Sequence, residues 1–186
     1  MTHSLHRRGS VESLKDDYVF ICRTIVGKNR AGSGPKMQAI RNILCDVGIN
    51  NTGVIETGQN MASGLTEEMI RADDSEAPII AASVSSRARI REIIRQVKEG
   101  DFGISITISG LIDEVTAICR ELDIQPHTVN LSLGVYGKTE LLPPEGCLEL
   151  TTLCGHALVA TRLTQTLQAD VKAGRVPAAG DEVDEA

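Results

Sequence analysis

Short runs rich in β-branched and apolar residues alternate along the chain with stretches whose apolar positions recur at helical spacing. The strand-like runs are 18–26, 52–57, 78–85, 104–109 and 128–136, and a shorter alternation over 147–150 predicts a further strand. Between them, Met37, Ile40, Leu44 and Val47 mark one helix. Ile90, Ile93, Ile94 and Val97 mark a second, whose opposite face carries Arg87, Arg91 and Arg95. Leu111, Val115, Ile118, Cys119 and Leu122 mark a third, and a last helix is expected over 152–168. Each has one apolar stripe, as a helix laid on a sheet requires.

Strand, helix and strand in succession predict a single α/β domain over 17–169, with a mainly parallel sheet and helical crossovers. The alternative is a ferredoxin-like α+β arrangement. Residues 1–16 read as an N-terminal arm. Residues 170–186 read as a disordered acidic tail, with Asp170, Asp181, Glu182, Asp184 and Glu185 set against Lys172 and Arg175.

Composition narrows the class. Of 186 residues, 41% are hydrophobic and 24% charged, which is ordinary for a globular chain and excludes wholesale disorder. The net charge is −6, and only Tyr18, Phe20, Phe102 and Tyr136 are aromatic. Both features argue against a nucleic-acid partner, which calls for a basic surface and stacking rings. No apolar run approaches the ~20 residues that span a bilayer, so a membrane partner is not expected and the chain is expected in the cytoplasm. Cys22, Cys45, Cys119, Cys147 and Cys154 are odd in number and scattered, a pattern of reduced thiols.

Ligands of open α/β sheets bind where strand ends meet helix starts, so those junctions are the places to look for chemistry. In GKNRAGSGPK (27–36), Gly27, Gly32 and Gly34 follow a strand, and Pro35 stands where a helix begins. Glycines there turn backbone amides toward an anion, and Lys28, Arg30 and Lys36 add charge, so the loop is a candidate site for a phosphate or carboxylate. It matches neither a Walker A nor a dinucleotide-binding fingerprint, and a surface loop with solvated cations fits it equally well.

The second junction is TTLCGHALVATRL. With Thr151 or Thr152 as cap, Cys154 falls in the first helical turn, where free amides and the positive helix end favour a thiolate. His156 is the candidate acid or base. Positions i and i+2 do not face one another on a helix, so it is expected to meet substrate or another loop instead of Cys154. A buried thiol and an ordinary histidine are the competing reading. The same residues offer a metal alternative, in which Cys147, Cys154 and His156 bind zinc or iron with His127, His3 or His6 as a fourth ligand. No C-x-x-C supports it.

The stretch ELTTLCGHALVA, Glu149 to Ala160, resembles the CGH segment of the diaminopimelate epimerase, proline racemase and phenazine isomerase superfamily. There the cysteine moves a proton at carbon. That superfamily pairs two similar halves with opposed cysteines, and the residues after Ala160 are too few to supply the strands that follow, so only the motif is shared. SLHRRGS, SGLIDEV, PHTV and TLCGH together resemble a family associated with anaerobic microorganisms. That resemblance implies that these segments form one unit and implies no chemistry.

The sequence thus points to an enzyme acting on a small anionic metabolite. Cys154 is its nucleophile or proton carrier and His156 its acid/base, while Gly27, Lys28, Arg30, Gly32 and Gly34 hold the anionic group. The alternative is a non-catalytic ligand- or metal-binding accessory module. A homodimer is compatible with either.

Overall fold

The computed structural model describes residues 7–54, 58–152 and 159–177. They fall into two units, Val11–His127 and Met1–Ser10 with Thr128–Ala186.

The first unit opens with a single helical turn, α1 (Val11–Leu14), and then enters β1 (Tyr18–Arg23). The chain continues through α2 (Gly34–Val47), β2 (Asn51–Val54), the two-residue β3 (Gln59–Asn60) and α3 (Glu67–Ala72). It ends with β4 (Ile79–Val84), α4 (Arg87–Gly100), β5 (Ser105–Ser109) and α5 (Ile112–Glu121). The strands form one five-stranded sheet in the order β3-β2-β4-β1-β5, and each of its pairs is antiparallel.

This overturns the expected mainly parallel sheet; the fold is α+β. The helical crossovers exist, but each skips a position. β1 and β2 both run antiparallel to β4, which lies between them. In the same way β4 and β5 flank β1. Each strand–helix–strand unit is therefore internally parallel, and the strand of the other unit fills its gap. Hydrophobic periodicity is the same whether the gap is filled or closed, so the alternation alone could not separate the two sheets.

Register follows from which face is buried. Phe20 stands opposite Ala82 and Ile108, and Cys22 opposite Ile80 and Ile106. Tyr18, Phe20, Cys22, Ile80, Ala82 and Val84 are thereby set on the face that packs against the helices. Onto it α2 lays Met37, Ile40 and Leu44, α4 lays Ile90, Ile93, Ile94 and Val97, and α5 adds Ile118. Each such isoleucine removed from water contributes about 1.5–3 kcal/mol, which fixes the rotation of α4 about its axis. Ser86 caps α4 by accepting from the Arg89 amide at 3.4 Å, and Asp101 ends it in the left-handed region, φ 42°.

The second unit holds α6 (Glu145–Thr151) and α7 (Thr161–Lys172). The strand expected over 147–150 is helical. Pro144 caps the helix start, and the buried Cys147, Leu148 and Thr151 sit one and four residues apart, a spacing that suits a helix face. A four-residue alternation was too short to separate the two. The strand expected over 128–136 is also absent: its apolar residues Val129, Leu131, Leu133 and Val135 are 40–87% exposed and pair with no strand. The last helix begins at Thr161, not 152. Among the described residues, no helix is long and apolar enough to cross a membrane.

Candidate functional site

The connection from β1 to α2 is the most elaborated junction in the first unit. Gly27 and Gly32 have φ of 73° and 75°, a left-handed backbone open to glycine at no steric cost. Between them the Asn29 carboxamide accepts from the Ile25 amide at 2.8 Å and donates to the Gly103 carbonyl at 2.8 Å, pinning the turn to the start of β5. The Arg30 guanidinium donates to the Thr24 hydroxyl at 3.2 Å, and that buried hydroxyl donates on to the Ala77 carbonyl. Lys28 and Lys36 are exposed.

At the start of α2, Ser33 occupies the cap position without capping: its hydroxyl makes no bond to the helix amides. It is 1% exposed, and its Oγ has no hydrogen-bond partner. A buried hydroxyl without a partner costs about 1–3 kcal/mol. The first turn carries no acid, Pro35 removes one amide, and the remaining first-turn amides have no intrahelical acceptor. The positive end of a fourteen-residue helix is therefore left with a buried donor beside it.

What faces this end comes from residues 73–77. The amide of Gly32 donates to the Glu76 carboxylate at 2.6 Å. A Cβ on Gly34 would lie 2.1 Å from the Asp74 carbonyl oxygen, so glycine is required for that close approach. Arg41, 6% exposed, anchors the same segment through an ion pair to Asp73 at 2.7 Å and a bond to the Asp73 carbonyl at 2.9 Å. One carboxylate already sits on one loop amide. Arg41, Ser33 and Glu76 were not foreseen. An arginine within an amphipathic stretch and a glutamate before Ala-Pro carry no distinctive pattern, and only the fold brings them to one helix end.

Of the residues predicted to bind an anion, Gly32, Gly34 and Arg30 converge at this junction. Gly27 shapes the turn, and Lys28 stands exposed nearby in sequence. The catalytic pair is a different matter, because Cys154, Gly155 and His156 lie outside the described residues. Cys147 is buried in α6, with its thiol 3.9 Å from the Thr161 carbonyl. His127 is exposed, while His3 and His6 lie outside the described residues. The arm is fastened at Arg8, whose guanidinium makes a two-pronged bond to Glu145 at 3.0 and 2.6 Å and whose amide donates to the Thr152 hydroxyl at 2.9 Å.

Burial raises the described thiols of the first unit. Cys22 is pushed up to about 12, and Cys45 and Cys119 are also raised, in each case chiefly by desolvation. None is prepared as a thiolate nucleophile. Three of the four arginines of α4 are likewise committed. Arg87 pairs with Glu114 and Glu121, Arg91 with Glu121, and Arg95 with Glu92 and Glu99. Hydrogen bonds from Arg95 and Gln96 hold the Glu92 carboxyl near 2. A shallow groove of about 430 Å³ runs beside α5, lined by Thr116, Cys119, Arg120, Asp123 and Ile124. It has no concentration of one charge.

The chain gives no match to any protein-family model, curated protein or solved structure with which it was compared.

Proposed function

We propose that this protein binds a small anionic metabolite, a carboxylate or phosphate ester, at the start of α2. The observation that carries the reading is the buried Ser33 hydroxyl, which lacks a partner at a helix N-terminus whose neighbouring amide already holds a carboxylate. An incoming anion displaces Glu76 from the Gly32 amide, takes the free amides of the first turn and gives Ser33 an acceptor. Lys28 and Arg30 supply charge that speeds and strengthens the encounter. Cys154 and His156 are proposed separately, on the sequence motif alone, as a catalytic pair.

The chain has no tryptophan, so binding is best followed through backbone amides. Titration of ¹⁵N-labelled protein with inorganic phosphate and with a dicarboxylate should shift the amides of Gly32, Gly34 and Lys36 saturably. The paired substitution Lys28→Ala and Arg30→Ala should weaken the effect in a salt-dependent way. Unmoved amides at these three positions, with both probes at millimolar concentration, overturn the proposal.

A further inference from the structure

Among the described residues the sheet ends on β5, which pairs with β1 alone, so one side of β5 has no strand beside it. Edges of this kind are usually guarded by lysine, proline, a bulge or extreme shortness. The opposite edge, β3, is guarded by its two-residue length. β5 has none of these devices: residues 104–110 read Ile-Ser-Ile-Thr-Ile-Ser-Gly, without charge or proline. Ser105 and Thr107 are exposed, and Ile106 and Ile108 are only half-buried although they share the core face.

The strand also reads the same in both directions, Ser-Ile-Thr-Ile-Ser. Antiparallel pairing with an identical strand sets Thr107 opposite Thr107, Ile106 opposite Ile108 and Ser105 opposite Ser109. Every pair then matches in size and polarity, with isoleucines meeting on the helix-covered face and hydroxyls on the other. A slip of one residue would put isoleucine and serine on a common face. Such a pattern favours a second copy of the chain over an unrelated strand, because a two-fold axis makes one edge complementary to itself.

We propose that β5 is a self-association edge. Two copies pair their β5 strands antiparallel about a two-fold axis at Thr107, joining their sheets into one. Five-residue edges bury less than the ~1,600 Å² of a standard interface, so the dimer forms in a concentration-dependent way.

Position-specific cross-linking of the full chain tests the register. Directly opposed Cβ atoms in an antiparallel pair lie ~4.5–5.5 Å apart, close enough for a disulfide after slight adjustment. Under mild oxidation Thr107→Cys should give a covalent dimer linked 107 to 107 by peptide mass, above the background of the unsubstituted protein. Ser105→Cys alone should not link, whereas Ser105→Cys mixed with Ser109→Cys should. In sedimentation equilibrium Thr107→Lys, which places like charges opposite each other at an exposed position, should abolish the dimer while the thermal melt of protein diluted to its monomeric form stays unchanged. A chain monomeric at all concentrations, a dimer indifferent to Thr107→Lys, or self-linking of Ser105→Cys as efficient as that of Thr107→Cys each overturns the proposal.

Discussion

Replacing Asp73 by alanine strips the buried Arg41 guanidinium of its counter-ion, and the structure sets the size of the effect. Arg41 has a side-chain exposure of 7% and meets the Asp73 carboxylate at 2.7 Å; Asp73 itself is 25% exposed. Two unit charges about 4 Å apart attract by ~4 kcal/mol at an effective dielectric constant near 20. The cost of removing one partner of a fully buried pair is about 3–5 kcal/mol. Asp73 reaches solvent, and Arg41 keeps its bond to the Asp73 carbonyl, so the loss should be smaller, about 2–3 kcal/mol. Arg41→Met removes the charge that needs the partner and should cost less than Asp73→Ala. The double variant should recover part of the loss, since its two members interact directly. Urea unfolding followed by circular dichroism measures all three. If Asp73→Ala costs under ~1 kcal/mol, or if Arg41→Met costs more than Asp73→Ala, the pair does not hold the 73–77 segment as argued. The same variants report on the site, because loss of this anchor should also broaden the amide resonance of Gly32.

Glu76→Gln removes the resident carboxylate from the Gly32 amide. It should tighten phosphate binding several-fold, the equivalent of about 1 kcal/mol, and an affinity unchanged or weakened would show that Glu76 does not compete for the site. For Cys22, burial raises the thiol from its ordinary value of 9.0 to about 12, so the folded protein keeps a proton that the unfolded chain releases first. Stability from this group is complete below pH 9 and falls as pH rises from 9 toward 12, by up to ~1.4 kcal/mol per pH unit. Cys22→Ala should flatten that part of the stability–pH curve, and an unaltered slope would assign the loss to other groups. Folded protein at pH 8 should also resist alkylation at Cys22, as read by peptide mass.

The sequence by itself located the main helices and strands of the first unit and the sides that its helices bury. The spacing of Met37, Ile40 and Leu44, and of Ile90, Ile93, Ile94 and Val97, located α2 and α4 and named their buried faces, because a stripe at helical period has one way to leave water. The apolar runs over residues 18–26 and 78–85 located β1 and β4 but did not name the faces they bury. The glycines and Pro35 likewise marked the turn into α2 from local backbone requirements alone. Short or unsupported patterns were less decisive. The alternation at 147–150 folded as a helix, because its buried residues serve a helix–helix contact that no local pattern encodes. Which strands lie side by side was also beyond local periodicity. Inserting β4 between β1 and β2 is a long-range choice, and it makes the sheet antiparallel without changing one residue's pattern. The candidate site divides along the same line. Gly32 and Gly34 were legible as loop residues, whereas Ser33 with no partner, Glu76 on the Gly32 amide and Arg41 beneath Asp73 arise only when residues 73–77 are brought against the start of α2. Contacts between segments some forty residues apart are decided by the free energy of the whole fold.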